Sequence, residues 1–131
     1  MTKEKPNILI VDDDPVIIEL LKVNLESEDY NVDVAYDGEE ALNKVWNQGT
    51  KRPDLVILDL MLPKIDGYKV AREIKSKKEI SNIPIIMLTG KVKPLDKIEG
   101  LIGSEADYYL TKPIDMSDLM IYVYKALSMK K

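Results

Sequence analysis

Five apolar runs of strand length punctuate this chain: "ILIV" (8–11), "VDVAY" (32–36), "LVILDL" (55–60), "IPIIMLT" (83–89) and "YYLT" (108–111). The segments between them carry helical spacing instead. Ile17, Leu20, Leu21 and Leu25 fall at i, i+3, i+4 and i+8, behind Asp14 as a helix cap and Pro15 as the first helical residue. "DGEEALNKVWNQG" offers Asp37 as cap, Glu40 three residues on, apolar Leu42 and Val45, and Gly49 as the terminating residue. "DGYKVAREIKSKK" repeats the scheme from Asp66, with Val70 and Ile74 facing inward. "PLDKIEGLIG" (94–103) is the weakest helical segment, because Gly100 lies inside it and Gly103 stands at its end, so it should shift or fray more easily than its neighbours. The last segment, from Asp115 to about Met129, sets Leu119, Val123 and Leu127 on one face.

Strands that alternate with helices pair in parallel, with the helices packed on both faces of the sheet. The expected fold is therefore α/β, a doubly wound (βα)5 sandwich of three layers. Four of the runs are apolar on both faces, as central strands are, while "VDVAY" partly alternates and suits an edge.

A chain of 131 residues makes one domain around one core, expected to span 1–131 with no output module attached. The apolar runs are too short to span a membrane, and "MTKEKPN" leads into the first run without a signal-peptide core, so a cytoplasmic location is expected. There is no cysteine, which excludes disulfides, thiol catalysis and Cys-ligated zinc. Nor is there a histidine, which removes the commonest general base and transition-metal ligand, so any metal must be hard and oxygen-bound. Net charge is −4 with the two signs interspersed, and lysine clusters such as "KSKK" read as solvated helix ends rather than a nucleic-acid footprint.

One residue sits badly in this scheme. The third run ends on a carboxylate, Asp59, and an isolated buried carboxylate would cost several kcal/mol or more. Ligands of open α/β sheets bind beyond the carboxyl ends of the strands. There the first run delivers Asp12, Asp13 and Asp14, the third Asp59, the fourth Thr89 and Gly90, and the fifth Lys112 and Pro113. If these strands are neighbours, carboxylates, a hydroxyl and an ammonium converge. A divalent cation together with Lys112 would neutralise the acids, and an oxygen-only donor set favours Mg2+ over zinc. A carboxylate nucleophile, a metal, a hydroxyl donor and an ammonium are what phosphoryl transfer to a carboxylate requires.

"ILIVDDDP", "PDLVILDLMLPKIDG", "IPIIMLTG" and "DYYLTKP", in this order and spacing, resemble the four signature blocks of response-regulator receiver domains of two-component signalling. The resemblance covers nearly the whole chain and implies a flavodoxin-like sheet of strand order 2-1-3-4-5. It implies Asp59 as phosphoacceptor, Asp13 as direct Mg2+ ligand with Asp12 in support, and the Met61 carbonyl as a further ligand, with Mn2+ as an alternative ion. Thr89 and Lys112 would bind phosphoryl oxygens, Tyr109 would change rotamer on activation, and Met61 and Lys91 would tune dephosphorylation. Two departures from the family pattern touch the signalling face: "SEA" at 104–106 where a Gly-Ala pair is common, and Ile114 where a Phe often follows Lys-Pro.

The resulting expectation is a phosphorylation-activated switch rather than a turnover enzyme. Its donor would be a sensor histidine kinase or a histidine phosphotransfer protein acting in trans. Its output would be a separate protein or a second copy, docked through the fourth helix, fifth strand and fifth helix, with no direct nucleic-acid contact and no membrane insertion. Excess apolar surface on the fifth helix, at Met120, Ile121, Tyr122 and Tyr124, supports that face. Two other readings remain. "ILIVDDDPV" also fits the opening of haloacid-dehalogenase-type phosphatases, with Asp12 as nucleophile and Asp14 as acid, though the paired acidic motif after Lys112 and a cap insertion are missing and Asp59 goes unexplained. The other is a receiver that serves only as an interaction module. Taken singly, Asp14 and Asp66 are explained as helix caps and Tyr109 as ordinary packing.

Overall fold

A computed structural model describes residues 5–47, 51–90 and 106–129. Five strands are present, β1 (Asn7–Val11), β2 (Asn31–Ala35), β3 (Leu55–Asp59), β4 (Ile85–Thr89) and β5 (Tyr108–Thr111), together with helices α1 (Pro15–Ser27), α2 (Gly38–Trp46), α3 (Gly67–Ser76) and α4 (Met116–Met129). The strands form one parallel sheet in the order β2-β1-β3-β4-β5. The fold is flavodoxin-like. The expected helix at 94–103 lies outside the described residues, as does Gly49.

The side-chain alternation of the strands builds two cores. Ile8, Ile10, Ile57, Ile86 and Leu88 face α1 and α4, meeting Ile18, Leu21, Leu25, Leu119, Val123 and Ala126. Leu9, Val11, Val56, Leu58 and Met87 face α2 and α3, meeting Ala41, Val45, Val70, Ala71 and Ile74. Each fully buried aliphatic side chain contributes about 1.5–3 kcal/mol, and β1, β3 and β4 bury residues on both faces.

The helices start where their caps predict. Asp14, Asp37 and Asp66 accept hydrogen bonds from the backbone N–H groups of Val16, Glu40 and Lys69. Glu40 reaches back to the Tyr36 N–H, completing a capping box shifted by one residue. Asp115 opens α4 by accepting from the Asp118 N–H.

Three packing expectations are corrected. Leu20 is 49% exposed, and Ile18 takes the inward place. At 100° per residue Ile18, Leu21 and Leu25 cluster within one sector, and Leu20 points well outside it. On α4, Ala126 is buried where Leu127 is only half-buried. β5 is the outer strand, as the order 2-1-3-4-5 implies, but its apolar run is not buried on both faces: Tyr108, Tyr109 and Leu110 are half-buried and Thr111 is exposed, because β5 pairs only with β4. An apolar run on an edge strand looks the same in sequence as one in the middle.

Candidate functional site

Four strand ends meet at the carboxyl edge of the sheet. Asp12, directly after β1, is fully buried, and its backbone N–H donates to the Ala35 carbonyl while Oδ1 accepts from the Asp14 N–H at 2.9 Å. Asp13 beside it is exposed, and Asp14 is occupied as the cap of α1. Asp59 closes β3 at 3% exposure and Thr89 closes β4, also buried. Lys112 follows β5, tied to β4 through its N–H on the Thr89 carbonyl.

Lys112 gives the isolated carboxylate its partner. Its Nζ lies 3.2 Å from Asp59 Oδ1 and 3.4 Å from Asp12 Oδ2, bridging residues far apart in the chain. The Met61 N–H also reaches Asp59 Oδ1, at a long 3.4 Å. Among the described residues no fully buried side-chain polar atom lacks a hydrogen-bond partner.

The charges nevertheless do not balance. Burial pushes the Asp12 carboxyl up, more than the Asp14 N–H and Lys112 lower it. Burial also raises Asp59, with the Asp12 charge adding to it and Lys112 and the Met61 N–H opposing. Burial works against the Lys112 ammonium, but Asp12 and Asp59 together outweigh it and hold the lysine above its ordinary value. Carboxylate oxygens of Asp12, Asp13 and Asp59 all lie within 4.8 Å of one another. Three acids against one ammonium, in an oxygen-only set, suit a hard divalent cation such as Mg2+ or Mn2+.

The remaining expected residues are less tightly drawn in. The Thr89 hydroxyl donates to the Gly90 carbonyl at 3.1 Å rather than to an acid. Met61 approaches the site through its backbone, with its side chain largely exposed. Tyr109 is half-buried against the core beneath α2 and α3, and Lys91 lies outside the described residues.

One neighbour of the site escaped the sequence reading. "DG" at 66–67 reads as a turn and a cap, and Asp66 is that cap. Gly67, however, packs against the backbone of Asp59 and Leu60 so closely that a Cβ would lie 2.5 Å from the Asp59 carbonyl oxygen. Only the folded approach of α3 to β3 reveals this.

The family model for the response regulator receiver domain matches residues 8–124. The chain is 42% identical over 118 residues to the DNA-binding dual master transcriptional regulator RpaA of Synechocystis, covering 90% of this chain and 47% of that protein. It is 49% identical over 107 residues to the alkaline phosphatase synthesis transcriptional regulatory protein PhoP of Bacillus subtilis, covering 81% of this chain and 42% of that protein. The chain thus spans less than half the length of these two relatives. Among solved structures, the receiver domain of the sensor histidine kinase PA1611 from Pseudomonas aeruginosa, with a magnesium ion coordinated in its active-site cleft, superimposes with a TM-score of 0.83 at 29% identity, covering 95% of this chain and 98% of that one. By the matched family, the identity to its relatives and the shared fold, this chain belongs to the response regulator receiver domains of two-component systems.

Proposed function

We propose that this receiver domain, a phosphorylation-activated signalling switch by family, takes its phosphoryl group on Asp59 from a phosphohistidine donor in trans. The observation that carries the reading is the Lys112 ammonium, held 3.2 Å from Asp59 and 3.4 Å from Asp12 where β1, β3 and β5 end. An Asp59 carboxylate oxygen forms the bond to phosphorus as the phosphorus–nitrogen bond to the donor imidazole breaks and the imidazole departs. Lys112 pairs with the developing phosphoryl charge, and the Thr89 hydroxyl turns from the Gly90 carbonyl to donate to a phosphoryl oxygen. Asp12, Asp13, Asp59 and the Met61 carbonyl would hold Mg2+, or Mn2+ in its place, which supplies neutralising charge to the phosphoryl oxygens.

Donor access is supported by α1. Val16, Leu20 and Val23 are exposed along it, and a shallow apolar groove between α1 and Pro113, Ile114 and Met116 opens beside Lys112. A kinase or phosphotransfer helix seated there would face the carboxyl edge of the sheet.

Output is proposed to pass through polypeptide beyond residues 1–131, separate or joined, or through a second copy. Ile121 and Tyr124 remain exposed on α4, at 52% and 70%, and mark this as a docking face together with β5. Tyr109 is the proposed rotamer switch, and Met61 and Lys91 are proposed to set the lifetime of the acyl phosphate. No helix among the described residues is long and apolar enough to cross a membrane.

The test is incubation with Mg2+ and acetyl phosphate, borohydride trapping and peptide mass spectrometry. Label at Asp59, absent in Asp59→Asn, is expected; label at Asp12 or no label overturns the reading.

A further inference from the structure

The first residue of α3 meets the acceptor strand backbone to backbone. Leu60 is held on both sides: its N–H donates to the Leu88 carbonyl of β4, and its carbonyl accepts from the Gly67 N–H, each at 2.8 Å. The Leu60 carbonyl and the Met61 N–H belong to one planar trans peptide, so they point in opposite directions. Fixing the carbonyl on the first residue of α3 therefore fixes the direction of the Met61 N–H, which points at Asp59 Oδ1. This works only if α3 comes close enough to reach Leu60. A Cβ on residue 67 would stand 2.5 Å from the Asp59 carbonyl oxygen and 2.7 Å from Leu60 Cα, both backbone atoms that cannot rotate away.

The far side of α3 is set in the same manner. A Cβ on Gly38, in the first turn of α2, would meet Val70 Cγ2 at 2.7 Å and the Ile65 Cβ and carbonyl oxygen at 3.1 Å. No glycine among the described residues has a positive φ, so neither position is required by backbone conformation. What both need is the missing side chain.

We propose that Gly67 is a positioning residue for Asp59: by letting α3 close onto the Asp59–Leu60 backbone it aims the Met61 amide and sets the acceptor carboxylate against Lys112, with Gly38 seating α3 from the other side. The inference rests on Asp59 being the acceptor. Its cost when broken should appear in the rate of the reaction, since displacing a reacting group by about 1 Å is expensive in rate.

The experiment measures the initial rate of Asp59 labelling by acetyl phosphate at saturating Mg2+ in the wild type, Gly67→Ala and Val45→Ala. Thermal melting and the pH dependence of the Met61 amide NMR shift are followed in parallel. Val45, fully buried on the inner face of α2 next to that helix's last residue, supplies a control that loses core packing and carries none of the site's groups. Gly67→Ala is expected to melt cooperatively, to label about 10- to 100-fold more slowly, and to lose the Met61 shift that follows Asp59 ionisation; Val45→Ala is expected to keep the wild-type rate and shift. Equal rates in Gly67→Ala and Val45→Ala overturn the inference. If Gly67→Ala does not fold, Gly38→Ala decides, a several-fold slower rate supporting the proposal and an unchanged one overturning it. A wild type that takes no label at Asp59 overturns the acceptor reading itself, and this inference with it.

Discussion

The two ends of the sheet each set a lysine against buried or half-buried acid and use it in opposite ways. At the amino end, Lys75 of α3 meets Asp107 at 3.1 Å, with the two side chains only 10% and 20% exposed. The Lys75 ammonium also donates to the carbonyls of Ser81 and Ile83, and Asp107 accepts from the Ile85 N–H, so charges and hydrogen bonds match one to one. At the carboxyl end, Lys112 stands between Asp12 and Asp59 with Asp13 alongside, and the acids outnumber it. The first arrangement is closed and structural, fixing the start of β5 on β4. The second keeps surplus negative charge that a divalent cation would offset. A buried ion pair is thus not by itself a functional mark; what sets the two ends apart is whether the charges balance.

The contrast breaks most visibly if the balanced pair is opened. Lys75→Met takes the ammonium from Asp107, leaving that half-buried charge only the Ile85 N–H, and from the Ser81 and Ile83 carbonyls, and should lower stability by about 3 kcal/mol in denaturant unfolding, while Asp59 labelling at saturating Mg2+ stays at the wild-type rate. Loss of labelling in a folded Lys75→Met protein would show that the two ends are not independent.

At the unbalanced end the sign reverses. Asp59→Asn removes one of the crowded carboxylates, and without divalent cation it should raise the melting temperature, because burial and the Asp12 charge both disfavour the Asp59 carboxylate. A destabilised Asp59→Asn protein would mean that Lys112 already balances the site.

The smallest effect is in pH. Asp12 and Asp59 are raised in the folded state, so their protonated forms favour folding. Their contribution is full below the ordinary carboxylate values and is lost as pH rises through the raised ones. Lys112 is raised as well, but its contribution changes only at alkaline pH. Melting of cation-free wild type and Asp59→Asn between neutral and mildly acidic pH should therefore show the gap between them narrowing on acidification, with Mg2+ affinity of the wild type weakening over the same interval. A gap that stays constant would contradict the raised Asp59.

Much of this was legible in the residues alone. Periodicity located the nine described elements to within a residue or two, because strand and helix spacing depend on local geometry that each segment carries with it. The caps Asp14, Asp37 and Asp66 were readable for the same reason, their partners lying two or three residues away. The convergence of Asp12, Asp59, Thr89 and Lys112 on one edge followed from a parallel sheet, in which every strand delivers its last residue to the same side.

What the tertiary structure alone decided involves distance between segments remote in the chain. That Leu20 is exposed and Ile18 buried depends on how α1 is rotated on the sheet. The Lys75–Asp107 pair is indistinguishable in sequence from two solvated charges. The close seat of Gly67 shows only as an atom that is missing: a glycine announces that a side chain is absent, and the backbone of Asp59 arriving from β3 supplies the reason. The sequence by itself determined which chemical groups reach the edge of the sheet, since that follows from local periodicity and chain direction; the closeness with which they meet was decided by packing across it.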